Sequence, residues 1–368
     1  MRLLVVLGTR PEAIKLMPVV TALRADPAVH VEVCATGQHR GLLDQVLAPA
    51  GLVPDHDLDL MRPGQSLDSL LAAATEGIGR VLDAARPDRV IVQGDTASAL
   101  AGALAAFHRQ VPVAHVEAGL RSGDPAQPFP EEAYRRTITL LADLHFAPTQ
   151  GAVDALLAER VDAASVHLTG NTGIDALFAL RGSSPGSVVA AVLGNLGARR
   201  LLLVTCHRRE NIGPPLDAVI EALAALAARG DVAVALPLHP NPAVASRIRA
   251  RLGALGGVIL LPALSYPDFA ALMAAASVIL TDSGGVQEEA PALGKPVLVL
   301  RETTERPEGV AAGTARLVGT DSARIVAETA RLLDDPAAHA AMALAHSPYG
   351  DGRAARRIAA ILAAGAPR

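Results

Sequence analysis

A chain of 368 residues, 51% of them hydrophobic, can fill cores for about two domains. A net charge of −4 with no basic tract makes nucleic acid a poor partner, and 2% aromatics with no Trp leave no stacking platform for single-stranded nucleic acid or polymeric sugars. No apolar run approaches the ~20 residues that span a bilayer. The opening Met1–Leu7 turns polar at Thr9–Glu12, too soon for a signal peptide. Cys34 and Cys206 give neither a metal-ligand spacing nor a disulfide framework. The expectation is a cytoplasmic protein without metal, nicotinamide or membrane.

In chain order, short apolar runs read as strands covered on both faces: Leu3–Leu7, Val31–Ala35, Val90–Val92 and Val113–Val116. Leu201–Thr205, Val232–Leu236, Val258–Leu261, Val278–Thr281 and Val297–Leu300 follow. Between many of them lie Ala/Leu-rich helical stretches, such as Leu67–Leu82, Ala97–Phe107, Pro215–Ala228 and Pro267–Ala275. This alternation predicts α/β architecture with parallel, doubly wound sheets. It occurs twice, around a loop-rich interval at Asp162–Gly186. The expected domains are 1–172 and 173–348. The segment 349–368 is read as a terminal helix returning to the first domain.

In such sheets the ligand crevice lies beyond the carboxyl ends of the strands, which turns the strand list into a site list. The most informative end is Thr281-Asp282-Ser283-Gly284-Gly285-Val286-Gln287-Glu288-Glu289-Ala290. Two glycines let the backbone approach a ligand, and the helix that follows offers free N–H groups and a partial positive charge. That combination suits a diphosphate. A carboxylate one turn on, Glu288 or Glu289, can accept hydrogen bonds from ribose hydroxyls. The plainer alternative is a helix capped by Asp282 or Ser283. His207-Arg208-Arg209, after the strand at 201–205, offers further cations for a diphosphate, or else is a solvated basic loop.

The first half supplies carboxylates on separate loops: Asp95, Glu117 and Glu131, with Glu132 adjacent. Singly, Asp95 could cap Ala97–Phe107, Glu117 could pair with Arg121, and Pro128–Glu132 could open a helix as a rigid turn. Jointly they suggest proton transfer beside a phosphate leaving group. Gly8-Thr9-Arg10-Pro11 is not a dinucleotide fingerprint, and no Walker lysine motif occurs. Asp57-Leu58-Asp59 reads as a solvated turn.

With these residues in place a resemblance can be stated. Gly8–Lys15, Gln38-His39-Arg40, Gly94-Asp95-Thr96, His115–Arg121 and Pro130-Glu131-Glu132 resemble the non-hydrolysing UDP-N-acetylglucosamine 2-epimerases. So do Gly170-Asn171-Thr172, His207–Asn211, Thr281–Ala290 and Thr303–Glu308, in order from residue 1 to about 360. The resemblance implies two Rossmann-like domains facing a cleft, as in GT-B glycosyltransferases, and no cofactor. It implies a homodimer and interconversion of UDP-GlcNAc and UDP-ManNAc. By the same likeness, Asp95, Glu117 and Glu131 would be acid/base groups supported by Lys15 and Arg135. Arg10, His207 and Arg208 would meet the diphosphate, Ser283, Gly284 and Gly285 would bind phosphate, and Glu289 would bind ribose. In some relatives a second UDP-GlcNAc acts as activator, a role that would fall to Gln38, His39, Glu132 and His239. Gly41 and Gly64 replace larger polar residues of those relatives, so allostery stays open. Tyr134 stands where many relatives have Asn. A 2-epimerase of a modified UDP-sugar, a glycosyltransferase and a non-catalytic sensor are the alternatives.

Overall fold

The computed structural model describes residues 1–37, 53–62, 64–206, 211, 213–238, 242–344 and 346–365. They form two compact units, one made of Met1–Ala179 with Tyr349–Arg368, the other of Leu180–Pro348.

The first unit is built on seven parallel strands: β1 (Arg2–Leu7), β2 (His30–Ala35), β3 (His56–Asp57), β4 (Arg89–Gln93), β5 (Val113–Val116), β6 (Leu144–Ala147) and β7 (Val166–Leu168). Their order is β3-β2-β1-β4-β5-β6-β7. Both faces are covered, which is why the strands read as continuous apolar runs. Along β1, Leu3, Val5 and Leu7 pack toward the helices Arg10–Arg24 and Ala354–Ala364. Leu4 and Val6 pack toward Leu67–Ala85 and Ala97–Phe107.

The chain end belongs to this unit. Asp175 accepts the first backbone N–H groups of the helix Ala354–Ala364, from Ala354 at 3.1 Å and Ala355 at 2.9 Å. A carboxylate is favoured at that positive helix end. The helix Thr172–Ala179, which the sequence reading put after the boundary, lies within the first unit and packs on Arg10–Arg24.

The second unit carries six parallel strands: β8 (Arg200–Thr205), β9 (Val232–Pro237), β10 (Val258–Leu261), β11 (Val278–Thr281), β12 (Val297–Val299) and β13 (Ala315–Leu317). Their order is β10-β9-β8-β11-β12-β13. Leu202, Val204, Leu223, Val234, Leu280 and Leu298 lie in one buried cluster of this unit. Both sheets reverse their winding at an inner pair, β1 beside β4 and β8 beside β11. Ligand crevices open at such switch points, beyond the carboxyl ends.

Four strands escape the sequence reading. β3 contains Asp57, which was read as part of a solvated turn. It is held on β2 by Asp55 N to Val33 O and Leu58 N to Ala35 O, both 2.9 Å. β6, β7 and β13 are three or four residues long and each contains a His or Arg. Among the described residues no helix is long and apolar enough to cross a membrane.

Candidate active site

The first unit's site is assembled at the ends of β1, β4 and β5. Gly8 follows β1 where an added Cβ would sit 2.0 Å from Ser98 Oγ and 2.3 Å from Thr36 Oγ1. Only glycine lets the backbone pass there. Thr9 then caps the helix Arg10–Arg24 in a reciprocal box with Glu12. Glu12 is fully buried and accepts from Gly8 N (3.0 Å), Thr9 N (2.7 Å), Thr9 Oγ1 (2.8 Å) and Thr96 Oγ1 (2.6 Å). Burial pushes its carboxyl above the usual range, and those bonds oppose the shift.

β4 delivers Asp95. Its turn is made at Gly94, with φ +68°, and is held by His115 on β5, whose Nε2 lies 2.7 Å from Gly94 O. Burial holds His115 down at about 3, so the ring is neutral and Nε2 is the donor. Asp95 does not cap the next helix. Thr96 does, accepting Ala99 N at 3.0 Å, which leaves the Asp95 carboxylate to an ion pair with Arg135.

Glu117 leaves β5 in the left-handed region, φ +63°, a strained conformation for a residue with a side chain. It is not paired with Arg121, which forks onto Glu159 at 2.8 and 2.7 Å. Glu117 Oε2 instead accepts from Lys15 Nζ at 2.5 Å and Gln93 Nε2 at 2.7 Å. The distant partners outcompete the near one because parallel strands carry their ends together.

The helix Glu131–Leu141 begins with two carboxylates of different fates. Glu132 is fully buried and accepts from Ser122 N (3.1 Å) and Arg135 Nη1 (3.2 Å), so it braces the arginine that pairs with Asp95. Glu131 Oε2 is buried with no hydrogen bond among the described residues. Glu12, Lys15, Gln93, Asp95, Glu117, Glu131 and Tyr134 all line one cavity of about 350 Å³. Burial raises the Tyr134 phenol, and Asp68 and Glu131 add to it, so this side chain faces the carboxylates as a neutral donor. Sequence reasoning placed Glu12, Gln93, His115 and Thr96 in or beside its motifs but gave none of them a role. Only Glu12 carried a local signal, the capping-box spacing Thr9-Arg10-Pro11-Glu12.

The second unit presents the glycine segment at the end of β11. Ser283 is the N-cap of Gly284–Ala292 but makes no side-chain capping bond, so its hydroxyl is not spent on the helix. A helix start of this kind leaves first-turn N–H groups unpaired, as an anion site requires. A buried network supports the turn. Asn211 Nδ2 donates to Asp282 Oδ2 at 3.0 Å and Leu300 O at 3.3 Å, and Thr205 Oγ1 meets Thr281 Oγ1 at 2.6 Å. Of the two neighbouring carboxylates, Glu288 is buried and ion-paired with Arg306, while Glu289 is partly exposed. Cys206 is buried and its thiol is pushed up by burial, which suits packing. Arg10 opens its helix in a partly exposed position. His207, Arg208, Gln38, His39 and His239 lie outside the described residues.

A family profile described as UDP-N-acetylglucosamine 2-epimerase matches residues 21–363. The UDP-N-acetylglucosamine 2-epimerase of Salmonella typhimurium is 48% identical over 365 residues, 97% of each chain. That of Bacillus subtilis is 46% identical over 359 residues, 97% of this chain and 94% of its own. Among solved structures, the Neisseria meningitidis UDP-GlcNAc 2-epimerase bound to UDP-GlcNAc superposes with TM-score 0.91 at 40% identity, covering 99% of this chain and 100% of that one. The Methanocaldococcus jannaschii enzyme in complex with UDP-GlcNAc and UDP gives 0.82 at 32% identity, with the same coverage.

Proposed function

Because the chain belongs to the UDP-N-acetylglucosamine 2-epimerase family, we propose that it interconverts UDP-GlcNAc and UDP-ManNAc by elimination and re-addition of UDP. C2 of a pyranose has no adjacent carbonyl, so its proton is very weakly acidic. Inversion without oxidation therefore couples C2–H removal to departure of the C1 substituent. A base takes the C2 proton, the C1–O bond breaks, its electron pair leaves with UDP, and 2-acetamidoglucal remains. UDP then re-forms the C1–O bond while a proton reaches C2 from the opposite face.

Two faces require two acid/base groups, and the reading draws them from Asp95, Glu117 and Glu131. The observation that carries it is the convergence of these three carboxylates on one cavity, two of them held by Lys15 and Arg135. Two of the carboxylates are salt-bridged and the third keeps one buried oxygen without a hydrogen bond among the described residues, so the three meet the cavity in different surroundings. Charge develops on the departing diphosphate, where Arg10, His207, Arg208, Ser283 and the N–H groups of Gly284 and Gly285 would stabilise it. Glu289 would hold the ribose.

Turnover separates this reading from its rivals. Incubation with UDP-GlcNAc should produce UDP-ManNAc, seen by NMR, and the same mixture should be reached from UDP-ManNAc. Tight binding of UDP-GlcNAc without conversion would make the protein a sensor. Conversion only of UDP-sugars altered at C3 or C6 would assign another substrate.

A further inference from the structure

Gln93 closes β4 beside the residue that precedes Glu117. Gln93 and Val116 are partners in the register of β4 with β5, and Gly94 N donates to Val116 O at 3.0 Å. On the other side Ala118 N donates to Phe146 O, on β6, at 3.0 Å. Glu117 is thus clamped between two strands, which is what lets it keep its left-handed backbone. Gln93, itself buried, then reaches the Glu117 carboxylate, with Nε2 2.7 Å from Oε2. A carboxylate accepts hydrogen bonds and does not donate them, so the amide NH2 is the group that faces it.

Both donors fall on one oxygen. Lys15 Nζ and Gln93 Nε2 meet Oε2, while Oε1 takes no hydrogen bond among the described residues. The two donors differ in kind. A lysine ammonium is a point charge on a flexible stem, and it attracts without fixing a direction. The Gln93 amide is planar and is carried by a strand end, so its bond has a direction. Gln93 and Glu117 line the same cavity as Asp95 and Glu131. With Oε2 held by protein donors, Oε1 is the atom left for a substrate proton.

We propose that Gln93 is a positioning residue for proton transfer, its amide fixing Glu117 so that Oε1 exchanges the proton on one face of C2. The proposal rests on the reading of Glu117 as an acid/base group. In one direction an Oε1 lone pair takes the C2 proton, the C2–H electron pair becomes the C1–C2 π bond, and the C1–O pair leaves with UDP. In the other, Oε1 returns the proton to C2 as UDP re-forms the C1–O bond. An amide that holds only the carboxylate acts through Glu117 and not on the sugar, which separates its effect from that of a binding group.

Gln93→Met and Gln93→Leu remove the donor with two different shapes. In the full-length protein each should lower kcat by roughly 10- to 100-fold, the scale of a misplaced catalytic group, with KM for UDP-GlcNAc and calorimetric UDP affinity near those of the wild type. Gln93→His, whose Nε2–H can reach the same oxygen, should regain most of the turnover. In a Glu117→Gln background, Gln93→Met should cost nothing further. Normal kcat in Gln93→Met or Gln93→Leu, while Glu117→Gln is impaired, overturns the role of Gln93 and spares the acid/base reading. A further loss in the double variant, or a raised KM with kcat unchanged, also overturns it, because Gln93 would then act on the substrate itself. No recovery in Gln93→His would make the loss one of shape and overturns it as well. Near-normal kcat in Glu117→Gln overturns both.

Discussion

Lys15 Nζ lies 2.5 Å from Glu117 Oε2, joining the helix after β1 to the loop that leaves β5. Both side chains are mostly buried, at 16% and 9% exposure, and Glu117 is held there in a left-handed conformation. Removing one partner of a buried ion pair strands the other charge, whereas removing both is far milder. Lys15→Met should lower both the melting temperature and kcat. Lys15→Met combined with Glu117→Gln should regain most of the stability but none of the turnover. If the double variant turns over normally, the pair is purely structural.

Asp95→Asn, Glu117→Gln and Glu131→Gln should each reduce kcat by roughly 10²-fold or more, the contribution of general acid/base catalysis. UDP affinity should stay near that of the wild type, since these groups do not attract phosphate. Steady-state kinetics and UDP calorimetry check the two halves of this statement. A variant with near-normal kcat would remove its residue from the acid/base set.

The strand ends that carry Asp95 and Glu117 were legible in the sequence because short apolar runs precede them, broken only at His115. Leu3–Leu7, Val90–Val92 and Val113–Val116 lie within β1, β4 and β5. β6 and β7 were not: Leu144-His145-Phe146-Ala147 holds no β-branched residue, unlike Val113-Ala114-His115-Val116, and Val166-His167-Leu168 is only three residues long. Partners were less legible than positions. Arg121 is four residues from Glu117, yet Lys15, separated by 102 residues, is the cation that reaches it. Asp95 could be read as a cap, but Thr96 takes that place, and nothing local announces Arg135 as its partner. Spacing along a chain reports which groups can meet within a helix turn, and the sheet decides the rest.

His115 makes stability depend on pH. Its folded pKa, about 3, lies below the ordinary 6.5, so the unfolded chain takes up the proton first as pH falls. Its stabilising contribution is therefore present above pH 6.5 and is lost as pH drops toward 3. The slope is about 1.4 kcal/mol per pH unit for one fully shifted group. His145, directly opposite on β6 and lowered to about 4 by burial, adds to it. Urea titrations at pH 6 and pH 5 should show a steeper loss in the wild type than in His115→Gln. Equal slopes would mean that His115 is not buried neutral.

Gly8→Ala should destabilise the first unit, because its Cβ would collide with the hydroxyls of Ser98 and Thr36, which bond each other at 2.7 Å. Overpacking of this kind costs about 1–3 kcal/mol. Adding Ser98→Ala should recover part of the loss. Chemical denaturation of the three proteins tests it, and unchanged stability in Gly8→Ala would show that the end of β1 has room to spare.

The central claim is that C2 inverts by losing its proton to a carboxylate and regaining one from the opposite face. Turnover of UDP-GlcNAc in D2O, followed at C2 by NMR, tests it most directly. The account predicts UDP-ManNAc carrying deuterium at C2, and deuterium appearing in recovered UDP-GlcNAc as the reaction approaches equilibrium. UDP-ManNAc formed with its original C2 hydrogen retained would contradict the account, because the hydrogen would then have moved without exchanging through a carboxylate.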